Sequence, residues 1–173
     1  IAEILRILDI SDPKEPREIG RWWKPEQFAD GQIDGTYPVG HMDEKDWPHL
    51  HGPAYVQDGK AYCGYWAGGG VILDMKDVTR PKLLGQIMMQ PPFSGKRAGA
   101  RCHTFLPLAG RNFAVLSNEG ERFMSWNKEL LSKEYDVVQG GAQPMNNLHM
   151  IDVSDPSDPT LVAEFPYPEV PAD

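Results

Sequence analysis

One short phrase recurs three times along the chain and restricts its fold more than any other feature. Residues 4–20 read ILRILDISDPKEPREIG, residues 70–85 read GVILDMKDVTRPKLLG, and residues 147–163 read NLHMIDVSDPSDPTLVA. Each copy is an aliphatic run ending in an aspartate (Asp9, Asp74, Asp152), a short polar segment, a proline (Pro16, Pro81, Pro159) and a second apolar run. Alternating apolar runs broken by turn residues read as two strands joined by a tight turn. A unit that returns at long and unequal spacing predicts fixed sheets with elastic connectors, which is how the blades of a β-propeller are arranged.

The segments between the copies complete the blades. Residues 51–66, HGPAYVQDGKAYCGYW, are two extended runs around Asp58-Gly59, a dipeptide suited to the primed two-residue hairpin turn. Residues 103–119, HTFLPLAGRNFAVLSNE, repeat the arrangement around Ala109-Gly110. The predicted fold is therefore all-β, with about two and a half four-stranded antiparallel blades. Residues 4–22 form a half blade, 51–88 a full blade, and 103–166 a second full blade carrying a 120–146 loop insertion. All of 1–173 reads as part of one propeller domain. Closed propellers have four to eight blades, so the ring is expected to be completed by other copies or by the rest of a longer chain. The start at Ile1, already inside repeat structure, fits the latter.

The repeat resembles that of the LVIVD-repeat family of β-propeller proteins: an apolar strand, Asp, Ser-Asp-Pro, then a proline before the next strand. LRILDISDPKEP and LHMIDVSDPSDP carry it closely, while VILDMKDVTRP has Val78 where the others have Pro13 and Pro156. The resemblance implies the propeller fold and no single activity.

A net charge of −8 without a Lys/Arg block argues against nucleic acid and anionic membrane surfaces as partners. No apolar stretch is long enough to span a bilayer as a helix. Two cysteines, Cys63 and Cys102, are too few for a disulfide framework and read as free thiols, which leaves the compartment open.

In the expected strand order, the long segments 23–48, 89–102 and 120–146 all fall on one face of the propeller. Long loops gathered on one face favour function there. His51 and His103 open equivalent first strands, so both imidazoles should meet near one mouth of the central channel. His49 should point to the same side by strand alternation, and His41 lies in the preceding loop. Glu119 closes a second strand that returns to the same face. The expected site is a small-molecule site with a transition metal (zinc, iron or copper) on His51, His103, Glu119 and His49, since imidazole and carboxylate suit such metals.

His103 and Glu119 are the candidate catalytic groups for hydrolytic or oxidative chemistry. The resemblance adds the recurring element HTFLP…GR…E, which contains both His103 and Glu119. Arg97 and Arg101, with Lys96, form a basic patch suited to a carboxylate-bearing ligand, and Trp47 could wall the pocket. The bland readings are solvated surface for the arginines and a wet-channel histidine satisfying backbone groups. The repeat aspartates, present in every copy, read as structural turn formers rather than catalytic carboxylates.

Gly68-Gly69-Gly70 reads as a tight turn, not a phosphate loop. Residues 124–135, MSWNKELLSKEY, suggest a short amphipathic helix. The competing function is a non-catalytic protein-interaction scaffold, to be recognised by an exposed rim built from Trp22, Trp23 and Trp126.

Overall fold

The structure is a computed structural model, and it describes residues 3–28, 48–88, 102–118 and 148–165. Among the described residues, ten strands form three antiparallel sheets, with one short 3₁₀ turn at Pro25–Gln27. β1 (Leu5–Asp9) pairs with β2 (Arg17–Trp22). β3 (Ala54–Gln57), β4 (Lys60–Gly64), β5 (Gly70–Asp74) and β6 (Lys82–Ile87) form a meander in that order. β7 (Cys102–Pro107), β8 (Phe113–Asn118), β9 (Leu148–Asp152) and β10 (Thr160–Glu164) form another. The sheets of two, four and four strands match the expected half blade and two full blades, and they do not close into a barrel.

Local chemistry accounts for the turns. Asp58 and Gly59 both have positive φ (50° and 70°), and Gln57 pairs with Lys60 across them. This is the backbone a two-residue hairpin needs to match strand twist. In each repeat copy the first aspartate accepts the backbone N–H two residues on: Ser11 to Asp9 (2.9 Å), Lys76 to Asp74 (2.9 Å), Ser154 to Asp152 (2.8 Å). The next aspartate does the same: Lys14 to Asp12 (3.0 Å), Thr79 to Asp77 (3.0 Å), Ser157 to Asp155 (2.9 Å). The repeated aspartates thus form consecutive Asx turns. Val78 keeps this geometry without the proline of the other copies, because the aspartate bonds set the turn.

The same bulge recurs in every copy. Ile19, Leu84 and Val162 are each passed over in the register, and Gly20, Gly85 and Ala163 follow them. At the first two sites the chain comes very close to the next sheet. A Cβ on Gly20 would lie 2.1 Å from the Val78 carbonyl oxygen, and one on Gly85 2.2 Å from that of Pro156.

The middle sheet is buried on both faces, so β4 and β5 lack polar/apolar alternation. Ala61, Cys63, Tyr65, Val71 and Leu73 pack with Leu5 and Trp22 of the half blade. Tyr62 and Ile72 pack with Cys102, Phe105, Ala114, Leu116, Ile151 and Val153 of the third sheet. Strand alternation therefore sends successive residues of one strand into two different cores. Both cysteines are free and buried, as expected.

A buried polar clasp ties the half blade to the middle sheet. The Tyr65 hydroxyl donates to Gln27 Oε1 and accepts from the Lys24 backbone N–H (3.3 Å). Lys24 Nζ donates to Gln86 Oε1 at 2.6 Å, and Gln86 Nε2 donates to the Gly68 carbonyl at 2.7 Å. Burial holds the Lys24 ammonium below its ordinary pKa.

Most of the long connectors lie outside the described residues. So do Glu119, Arg97, Arg101, Lys96, Trp47, His41 and the expected helix over 124–135. Among the described residues, no helix is long and apolar enough to cross a membrane.

Candidate functional site

The polypeptide that leads into β3 brings the first histidines into place. Leu50 donates its N–H to the Glu3 carbonyl (3.0 Å), and His51 donates its N–H to the Gly64 carbonyl (3.0 Å). The first strand proper begins only at Ala54, so His51 sits in an extended lead-in rather than on the strand itself. Alternation still holds there. Leu50 turns toward the core shared with the half blade, while the His49 and His51 rings lie together, 5.6 Å apart between centroids.

His103 reaches the same place from the third sheet. It sits in a β-bulge: Cys102 pairs with Asn118 and Thr104 with Ser117, so the register shifts across His103. A bulge re-aims the side chain it carries. Two glycines of the middle sheet admit the bulge: a Cβ on Gly52 would lie 1.8 Å from the His103 carbonyl oxygen, and one on Gly64 2.0 Å from it. The His51 and His103 rings then meet edge to face, 5.0 Å between centroids and 85° between planes.

Trp66 closes the cluster. Its ring lies 4.2 Å from His51 and 5.6 Å from His49 between centroids. Its backbone is left-handed, with φ of 43°, a conformation that is strained for a bulky residue. Two hydrogen bonds hold it there: Trp66 N–H to the Cys102 carbonyl (3.1 Å) and Cys102 N–H to the Trp66 carbonyl (3.0 Å). The glycine turn after Trp66 is the tight turn the sequence predicts, closed by Gly68 N–H to Tyr65 O (2.7 Å) and Gly69 N–H to Trp66 O (3.0 Å).

The ring nitrogens have polar neighbours. Glu3 Oε2 lies 3.2 Å from His49 Nε2, and Thr104 Oγ1 lies 2.8 Å from His103 Nδ1. His49 is buried, His103 half-buried and His51 exposed. Carboxylate and hydroxyl partners of this kind fix tautomer and ring orientation.

Of the residues singled out from the sequence, His49, His51 and His103 converge, while Glu119, Arg97, Arg101 and Trp47 lie outside the described residues. Among the described residues, no group of three or more His, Cys, Asp or Glu is arranged to hold a metal ion. Sequence reasoning missed Glu3, Gly52, Gly64, Thr104 and the place of Trp66. Two glycines flanking a histidine strand were the only signal, and they are as common in ordinary hairpins.

The LVIVD repeat family model matches residues 1–23 and 142–166, which cover the first and third copies of the phrase. No curated protein matches the chain.

Proposed function

From a chain that carries LVIVD repeats folded into propeller-type sheets, we propose a protein that binds a small molecule together with a transition metal on His51 and His103, with His49 beside them. The observation that carries this reading is the 5.0 Å approach of the His51 and His103 rings from two different sheets. Two imidazoles on one zinc ion, each about 2.0–2.1 Å away through nitrogen, bring their ring centres roughly 5–6 Å apart at a tetrahedral angle. The ring separation falls within that range, and the remaining ligands would have to come from beyond the described residues. Thr104 Oγ1 lies 2.8 Å from His103 Nδ1, so in this reading His103 would meet the metal through Nε2.

Glu119 or the bound molecule itself would complete the coordination, with Arg97 and Arg101 contacting an anionic group and Trp47 walling the site. Bound metal with open positions would polarise a substrate oxygen or acidify a water, so hydrolysis and oxidation are the reactions to screen. Further sheets, from other copies or from the rest of a longer chain, would close the ring around the site.

The scaffold reading asked for an exposed tryptophan rim. Trp22 is instead buried edge-on against Tyr65, and Trp23 is half-buried against Phe28, while Trp126 lies outside the described residues. Titration of the folded protein with cobalt(II) tests the metal. Saturable visible absorption that disappears in the His51→Ala/His103→Ala variant supports the reading, and no spectral change in the parent refutes it.

A further inference from the structure

The left-handed backbone of Trp66 lies where two sheets and three histidines meet. We infer that Trp66 is the positioning residue of this site, with its backbone pinned to the neighbouring sheet so that its indole fixes the orientation of the His51 imidazole. The inference deepens the reading above and rests on it for its purpose.

Three observations converge on Trp66. The first is its φ of 43°. Backbone strain in a bulky residue persists only where its surroundings over-determine it, and it gathers at functional sites. The glycine turn that follows does not require a tryptophan: the turn's hydrogen bonds use backbone atoms of Tyr65, Trp66, Gly68 and Gly69, and Asn or Gly adopts left-handed φ at less cost.

The second is the pair of hydrogen bonds to Cys102. They couple the Trp66 backbone to the residue immediately before the bulged His103. One short bridge therefore sets the approach of the third sheet and the placement of the indole together.

The third is ring packing. The indole lies 4.2 Å from His51 and 5.6 Å from His49, and His51 is the exposed member of the cluster. The His103 and His49 rings also meet His51, at 5.0 and 5.6 Å between centroids, but the indole is the nearest of these three rings, and ordering a side chain only when a ligand binds costs affinity. A large rigid ring at contact distance removes the freedom beforehand. Hydrogen-bonded partners that orient metal-binding histidines are worth about 10–100-fold in metal affinity, and this sets the scale for a ring that orients one by packing.

The test compares the parent with Trp66→Asn, which tolerates the left-handed backbone but lacks the ring, and with Trp66→Phe, which keeps an aromatic ring. Trp66→Leu replaces the Asn variant if that one does not fold. Zinc affinity is measured by calorimetry, and ordering of the His51 side chain by NMR relaxation without metal. The expected result is zinc binding weakened about tenfold or more in Trp66→Asn, a more mobile His51 ring, and recovery of both in Trp66→Phe.

Parental affinity and parental His51 order in a folded Trp66→Asn variant would overturn the inference, as would failure of Trp66→Phe to restore either. If the parent binds no zinc, the metal reading fails by itself. His51 ordering then decides the inference alone: loss in Trp66→Asn and recovery in Trp66→Phe support it, and unchanged order overturns it.

Discussion

The His103 carbonyl oxygen lies where a side chain on Gly64 would begin: a Cβ there would be 2.0 Å away. The two sheets that carry the histidine cluster thus meet backbone to backbone at this point, with no side chain between them. Contact this close is rigid, and it determines how far His103 projects toward His51.

Gly64→Ala is therefore expected to move the third sheet. The obstacle is a backbone carbonyl, which cannot rotate aside as a flexible side chain would. Overpacking of this kind costs about 1–3 kcal/mol. Thermal unfolding should show the loss, and the same substitution at Gly59, where a Cβ would meet nothing within 4 Å, should act only through its positive φ.

The core between the middle and third sheets should be sensitive to truncation. Phe105 is fully buried and meets Tyr62 edge to face with centroids 5.5 Å apart. Phe105→Ala is expected to cost about 3–5 kcal/mol. A double-mutant cycle with Tyr62→Leu should return a coupling of about 0.5–1.5 kcal/mol for the ring pair. Denaturant unfolding measures both.

Alkaline pH should destabilise the fold before it exposes the thiols. Burial pushes the Cys63 thiol up to about 12, and it also raises Cys102 and Tyr65. These groups stay neutral when folded, while the unfolded chain ionises its thiols near pH 8.5 and its tyrosines near pH 10, both approximate values. Their contribution is complete below about pH 8.5 and is lost as pH rises toward the folded values. Stability should fall above about pH 8.5, and a thiol reagent should label neither cysteine until unfolding. Fast labelling of the native protein at neutral pH would contradict this.

At the acid end the repeat turns decide. The Ser11 side chain and backbone N–H hold Asp9 below its usual pKa, and Thr79, Ser154 and Ser157 do the same for Asp77, Asp152 and Asp155. A lowered carboxylate stabilises the fold above its unfolded pKa and loses that contribution as pH falls through the folded value. The turns should weaken below about pH 4. Asp152→Asn should flatten that dependence, as read from thermal unfolding between pH 2 and 6.

The fold was largely legible in the sequence because its information is local and repeated. Asp58-Gly59 specifies a hairpin without help from the rest of the chain, and the paired aspartates specify the Asx turns three times over. The two-faced burial of β4 and β5 follows from their continuous apolar runs.

The site was legible only in part. His49, His51 and His103 could be brought together from strand order and alternation, since both arguments work at the level of whole strands. Trp66 could not, because its position depends on a positive φ and on a bridge to Cys102 across a sheet boundary, neither of which leaves a pattern in sequence. Glu3 pairs with His49 through a chain path that no motif encodes. The bulge at His103 needs Gly52 and Gly64 together, and either glycine alone reads as an ordinary strand residue.

The most direct test of the central claim is elemental analysis of the purified, assembled protein beside its His51→Ala/His103→Ala variant. The account predicts a transition metal near one per chain in the parent and its loss in a variant that keeps its fold. A folded parent without metal, still without it after incubation with zinc, iron(II) or copper(II), would contradict the account.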